Sequence, residues 1–468
     1  MIFLPLPYGS VEEWSIFIFE ATTIILFGMH LTVKFRNKKR SLPQTTLEVS
    51  NGRDSLRIPA IFKIFLAIFF LVTIFQLIPL PGSLVKNLSP QTYKTHMGLS
   101  DIRNIQGLMT LSFSPGLTIY ELLKYICYFL FGFLVFQYVR TKTHIEIFVG
   151  VLLASALFQS FYGLIEYFGK TGRIFGFKNT WSQGFAFGTF INNNHFAGFL
   201  EMLFPLSVGY LLAKADFFSM KKGLSLRDKI LWFGHERLQR TIILGIIPVF
   251  LGLGIFYSRS RSGFLIFFAD IFLMIIVLSL ARRRKGGSAA KEKRYGTIVR
   301  TVSLVILFSA VWIGIKPILE RFSGDSLERQ VRPKIYRYTI DLIKDFPLSG
   351  TGPGTYVYAY PKYEPVRTPR LTDHAHDDYL EVLAESGIIG GASLIGLAFG
   401  GLGYLFVLWM KRKDYFVRGI VFGCMAGIVS LFLHSVSDFN LRLPANAVYF
   451  VVLFALGFTS VMKQRRPD

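Results

Sequence analysis

The chain has 468 residues, 52% of them hydrophobic and 48 of them Phe, with a mean hydropathy of +0.45 and a formal net charge of +23. A soluble protein of this length would split into about two or three domains with polar outer faces, which this composition excludes. The charge does not point to nucleic acid, because Lys and Arg sit in clusters between apolar runs, where they mark the cytoplasmic side of a membrane protein beside anionic lipid.

In chain order, apolar runs of about 18–25 residues, long enough to cross ~30 Å of hydrocarbon as helices, predict spans at Trp14–Val33, Ile58–Leu80, Ile119–Tyr138, Ile145–Phe168, Phe190–Ala213, Ile242–Tyr257, Phe264–Ala281, Ile298–Ile315, Ile388–Met410, Gly419–His434 and Ala447–Met462. These make about eleven by the window criterion, two of them short. Basic residues crowd alternate loops: Lys34 to Arg57, Arg140 and Lys142, Lys214 to Arg240, Arg282 to Arg300, Lys411 to Arg418, and the tail Lys463 to Arg466. The positive-inside rule puts that set in the cytoplasm, with the N-terminus outside and the C-terminus inside. The opening residues lack a basic n-region and a cleavage site, so the first span reads as a retained helix. Cys127 and Cys424 fall within spans and supply neither a disulfide framework nor a metal site. No internal repeat suggests an inverted-repeat transporter. The expected fold is an all-α polytopic membrane protein of about 11 transmembrane helices with one large, mainly helical loop domain on the outer face. Its parts would be an N-terminal transmembrane bundle over 1–315, the loop domain over 316–385, and C-terminal transmembrane helices over 386–468.

Four polar clusters fall on the same predicted outer side. The first runs from Asn192 through Asn194 and His195 to Gly198. Such side chains near a membrane helix are costly unless paired or wetted, and serve either a function or hydrogen bonding between helices. The second, Ser258 to Gly263, joins two spans and holds Arg259 and Arg261. Guanidiniums on the outer side are not topology signals; their planar forks match phosphate oxygens, the alternative being snorkelling to lipid headgroups. The third is the long segment from Lys316 to Glu385. In it Ile335, Thr339, Leu342, Ile343 and Phe346 recur at helical spacing, and Pro333 suits the first helical position. That would leave Arg332 at the positive end of a helix dipole, a good place to receive phosphate. Pro347 stops the helix, and Gly350, Gly352 and Gly354 form a tight turn rather than a dinucleotide fingerprint.

A new helix then opens around His374, His376, Asp377, Asp378 and Tyr379, with Thr372 or Asp373 as cap, and ends near Gly387. His376 would lie in its first turn on a face shared with Tyr379 and Leu383. The helix terminus there favours a neutral imidazole, whereas Asp377 and Asp378 favour its protonation. The fourth cluster, His434 to Pro444, holds Asp438 and Arg442. Asp438 is suited either to orient a histidine or to pair with Arg442, and a network tying two helix ends together accounts for the cluster equally well.

Together these motifs resemble the O-antigen ligase/polymerase family of bacterial inner-membrane proteins, from about Gly188 to Gly457. The residues that carry the resemblance are Asn194-His-Phe-Ala197, Ser260-Arg261-Ser-Gly263, Arg332 through Gly354, His376-Asp-Asp-Tyr-Leu380 with Glu385-Ser-Gly387, and His434 with Asp438-Phe439 and Pro444. Asp377 departs from the family, which has Asn there. The resemblance implies a glycosyltransferase without metal or other cofactor, in the inner membrane, that moves a glycan from an undecaprenyl-diphosphate carrier to an acceptor hydroxyl on the periplasmic face. A ligase uses lipid A–core as acceptor; a polymerase, of O-antigen or exopolysaccharide, uses a second lipid-linked glycan. On this reading Arg261 and Arg332, with Arg259, stabilise the leaving diphosphate, and His376 is the general base. Asn194, Asp378, Tyr379, Glu385, His434 and Asp438 support them. The expected partners are these glycans and membrane lipids, not nucleic acid. The rival of another class is a lipid-linked oligosaccharide flippase, which would need charges along a path through the membrane.

Overall fold

The computed structural model describes residues 1–40, 59–98, 107–214, 236–282, 304, 308, 327–364 and 371–462. Within them the chain forms α1 (Glu13–Arg40), α2 (Ala60–Leu77), α3 (Gly82–Leu88), α4 (Pro90–Gly98), α5 (Pro115–Tyr138), α6 (Lys142–Gly169), α7 (Asn193–Ala213), α8 (Glu236–Tyr257) and α9 (Arg261–Arg282). It continues with α10 (Leu327–Asp345), α11 (Tyr356–Ala359), α12 (Asp378–Met410), α13 (Tyr415–His434) and α14 (Pro444–Met462). The only strands among the described residues are two antiparallel pairs of two residues each, Leu80–Pro81 with Leu108–Met109 and Arg173–Ile174 with Phe177–Lys178.

Among the described residues, eight helices (α1, α2, α5, α6, α7, α12, α13 and α14) are long and apolar enough to cross a membrane, and Ile242–Tyr257 of α8 is a shorter apolar stretch. The protein is therefore an all-α polytopic membrane protein. The expected spans fall on described helices with one exception: Ile298–Ile315 lies outside the described residues apart from Leu304 and Phe308. So do 316–326 of the outer segment, the tail from Lys463, and most of the basic loops at 41–57, 215–235 and 283–300.

The chain divides into two units. The first comprises Met1–Glu12, Val139–Gln330 and Leu402–Asp468. Its centre is α7, apolar on every side as a buried helix should be; 89% of its apolar window is buried, against 78% for α13. Side-chain packing alone would not bring these helices so close in a membrane, where small residues are what let backbones approach. Gly419, Gly423 and Gly427 line one face of α13, and a Cβ on Gly423 would stand 2.7 Å from the Leu206 Cα of α7. The opening residues thread into the same unit: the Ala445 N–H donates to the Gly9 carbonyl at 3.1 Å and the Tyr449 hydroxyl to the Met1 carbonyl at 3.2 Å.

The second unit comprises Glu13–Tyr138 and Val331–Gly401. The helical repeat read from the sequence sets its core: Ile335, Thr339 and Leu342 of α10 and Phe346 just after it are buried, with Ile343 partly buried, packed with Tyr356, Tyr360 and Ala384. The Thr339 hydroxyl meets the Tyr356 hydroxyl at 2.7 Å, so the polar atoms on that face are satisfied. Contrary to expectation, α10 does not begin at Pro333. It starts at Leu327, which puts Pro333 inside the helix and Arg332 beyond the first turn. The dipole effect is confined to a terminal turn, so it does not act at Arg332.

Candidate active site

At one end of the first unit three of the four polar clusters meet. Asn192 caps α7 by accepting the Asn194 N–H at 2.8 Å. The next two side chains reach outward from that cap: Asn193 Nδ2 donates to the Ser258 carbonyl at 2.8 Å, and Asn194 Nδ2 to Asp438 Oδ2 at 2.9 Å. Asp438 Oδ1 stands 3.6 Å from His195 Nε2, beyond hydrogen-bond distance. The Ser262 and Ser437 hydroxyls are 2.7 Å apart. Residues distant in sequence are thus tied by hydrogen bonds whose loss would strand buried polar groups, at about 1–3 kcal/mol each.

Within that end the two arginines have different settings. Arg261 is the first residue of α9 and half-buried. Arg259 sits on a left-handed backbone (φ 51°). Its Nη2 donates to the Tyr167 hydroxyl at 2.9 Å, and its guanidinium lies 5.6 Å from the Tyr167 ring centre and 5.8 Å from that of Phe185. It walls a half-open cavity of about 650 Å³.

His434 is not exposed at this end. It is fully buried, its Nδ1 2.9 Å from Glu201 Oε2 of α7, and Gly263 makes room for that carboxylate, since a Cβ there would come within 2.8 Å of Glu201 Oε1. The partnership with Glu201 was not legible locally, since 233 residues separate the two. The available signal was the acid itself: a carboxylate in an apolar span demands a partner. Asp270, another such acid, accepts from the Ser430 hydroxyl at 2.7 Å.

In the second unit the segment before α12 is pinned from several directions. Asp377 is the true cap of this helix, its Oδ1 accepting the N–H groups of Tyr379 and Leu380 at 2.9 Å each. Neither Thr372 nor Asp373 caps it, and His376 precedes the helix instead of lying in its first turn. His376 therefore does not share a helical face with Tyr379 and Leu383. It adopts φ 52°, a left-handed conformation uncommon outside glycine. Its neighbours hold it there: the Tyr336 hydroxyl donates to the His376 carbonyl at 3.0 Å, and Glu381 Oε2 accepts the Ala375 N–H at 2.8 Å. The other oxygen of Glu381 is 2.8 Å from His374 Nδ1. Arg332 precedes Tyr336 by one helical turn and so belongs to the face of α10 that meets this segment.

Glu385 supports the site from behind. Its carbonyl accepts from the Gly352 N–H and from Gln76 Nε2, both at 2.8 Å, and its Oε1 accepts the Tyr356 N–H at 3.1 Å. The glycine turn lies so close that a Cβ on Gly350 would come within 2.3 Å of the Glu385 carbonyl oxygen. Gly387 (φ 66°, ψ 174°) breaks α12 at this point, a conformation essentially reserved for glycine. Asp378 opens α12 and is buried, and the Tyr379 ring lies 6.1 Å from that of Phe399.

Asp and Asn supply the accepting oxygen of such a cap equally well. Burial raises the Asp377 carboxyl above its ordinary value, the Leu380 and Tyr379 N–H groups draw it back, and Glu381 raises it further. A raised native value means that the folded protein keeps a proton the unfolded chain releases, so stability from this group declines as pH climbs out of the ordinary carboxylate range. Asp377→Asn keeps the cap and has no such proton. It should unfold no earlier than the parent at neutral pH and show a shallower loss as pH rises above the ordinary carboxylate range. Asp377→Ala should cost about 1 kcal/mol. Thermal unfolding of the solubilised protein across that rise in pH checks both.

These features define a polytopic membrane protein whose hydrogen-bonded polar residues gather at helix ends and whose histidine is held on a strained backbone. Residues 246–395 match the family described as O-antigen ligase. Arg259, Arg261, Arg332, His376, Asp378, Tyr379 and Glu385 lie within the matched stretch, whereas Asn194, His434 and Asp438 lie outside it. A comparison with curated proteins finds no match.

Proposed function

We propose that this chain is a glycosyltransferase of the bacterial inner membrane that moves a glycan from an undecaprenyl-diphosphate carrier to an acceptor hydroxyl on the periplasmic face, with lipid A–core as acceptor. The observation that carries this reading is His376, a residue of the stretch matching the O-antigen ligase family, held at φ 52° by contacts on both sides. Backbone strain of ~1–3 kcal/mol persists where the surroundings over-determine it, and it clusters at functional sites. His376 takes the proton of the acceptor hydroxyl as that oxygen attacks the anomeric carbon. The bond from that carbon to the diphosphate breaks, its electron pair leaves on the diphosphate oxygen, and the anomeric configuration inverts. Arg261 and Arg332, with Arg259, are assigned to the charge that develops there. This chemistry needs no metal and no cofactor. Asn194, Asp438, Glu385, Asp378, Tyr379 and His434 act as supports.

A guanidinium offers two parallel donors where an ammonium offers a point charge. Arg261→Lys and Arg332→Lys should therefore each lower transfer by about tenfold or more, near the ~1.5–3 kcal/mol of a charge-assisted hydrogen bond. The assay supplies purified protein with carrier-linked glycan and, separately, lipid A–core or a second carrier-linked unit. Full activity in both variants would remove the diphosphate assignment, and extension of the second carrier-linked unit alone would make the protein a polymerase.

A further inference from the structure

We infer that the cavity beside Arg259 in the first unit is a subsite for an acidic saccharide, one whose sugar ring carries a carboxylate. This rests on the glycosyltransferase reading and adds to it the class of sugar the protein handles. The cavity, about 650 Å³, falls within the usual range for small-molecule sites. Its wall carries three cations, Lys170, Lys178 and Arg259, against one carboxylate, Glu166. Arg259 is fixed by the Tyr167 hydroxyl and two rings, so little side-chain freedom remains to be lost when it meets the diphosphate the sugar hangs from, which leaves Lys170 and Lys178 for the ring carboxylate. Lys170 and Lys178 are exposed, one just after α6 and the other on the short hairpin that follows.

Two features favour a sugar over a lipid headgroup. Thr171 and Gln183 add neutral hydrogen-bonding groups to the wall, and Glu166 adds an acceptor. That set matches the hydroxyls of a sugar ring. Phe168, 53% exposed at the end of the α6 span, offers an apolar face to the C–H side of a ring. The surroundings also suit a sugar hanging from a membrane anchor. Phe175, Phe177 and Trp181 are 52%, 71% and 72% exposed, an aromatic rim of the kind found at the level of lipid headgroups.

The test uses the full-length protein in nanodiscs of neutral phosphatidylcholine and measures binding by calorimetry. The probes are a tetrasaccharide of galacturonic acid and its methyl ester, which has the same hydroxyls without the charge. The acid is expected to bind saturably and at least tenfold tighter than the ester. Lys170→Glu and Lys178→Glu are each expected to weaken the acid by at least tenfold and to leave the ester unchanged. Both lysines are exposed, so the variants should fold; a matching thermal transition verifies this, and Lys178→Gln, with a smaller loss, gives a second reading. Equal binding of acid and ester, no saturable binding, or abolition by nanodiscs of anionic phosphatidylglycerol would overturn the assignment, the last giving the site to lipid headgroups. Binding requires no turnover, so its failure leaves the transferase reading intact, and failure of the transfer assay leaves the binding result intact.

Discussion

Replacing His376 by alanine is expected to lower the rate of glycan transfer by about 10²–10⁴-fold, the usual contribution of a positioned general base. The affinity for donor should change little, because the imidazole acts on the acceptor proton. His376→Gly separates chemistry from folding. Glycine occupies φ 52° without the steric penalty that a side chain meets there. The Gly variant should therefore unfold at or above the parent temperature while being as inactive as His376→Ala, the pattern of a residue retained for function at the expense of stability. A flippase of lipid-linked sugar would tolerate both changes. If either variant transfers glycan at more than about a tenth of the parent rate, the general-base role is gone.

The sequence was most informative where one periodicity was repeated without interruption. Ile335, Thr339, Leu342 and Phe346 are all buried because burial of one helical face requires that spacing. The glycine turn was legible for the same kind of reason: Gly350, Gly352 and Gly354 all have positive φ, and turns of that shape demand glycine. Helix starts were harder. Pro333 looks like a first-turn residue, yet Leu327 to Arg332 are mostly strong helix formers, and the helix runs through the proline back to Leu327. The start of α12 offered Thr372 and Asp373 as caps, and only the fold shows that Asp377 meets the free N–H groups instead. Pairings across the chain were least legible. Asn194 with Asp438 and His434 with Glu201 depend on how α7, α13 and the residues after α13 come together, which no local pattern encodes. Hydropathy marked these residues as anomalies in apolar surroundings, and packing then supplied their partners.

The Glu201–His434 pair carries the second large expectation, and it concerns stability. Both side chains are wholly buried at 2.9 Å, so neither exchanges its partner for water when the other is removed. Glu201→Leu leaves the imidazole buried opposite hydrocarbon, and breaking such a pair is expected to cost about 3–5 kcal/mol. His434→Leu strands the carboxylate and should cost a similar amount. The double variant replaces both polar groups by apolar ones of comparable size, and should recover most of the loss. Glu201→Gln keeps an accepting oxygen for the imidazole N–H and should fall between parent and Glu201→Leu. The coupling energy read from this cycle should therefore be large, since the two residues are in direct contact. Additive losses would mean that the groups do not depend on each other, and the contact would then be incidental. Because Glu201 also lies against Gly263, two residues beyond Arg261, the cycle should be run with transfer as a second readout. If the pair serves only to hold α7 against α13, the double variant recovers stability and activity together. Recovery of stability without activity would instead show that the buried pair helps to set the position of Arg261 at the start of α9.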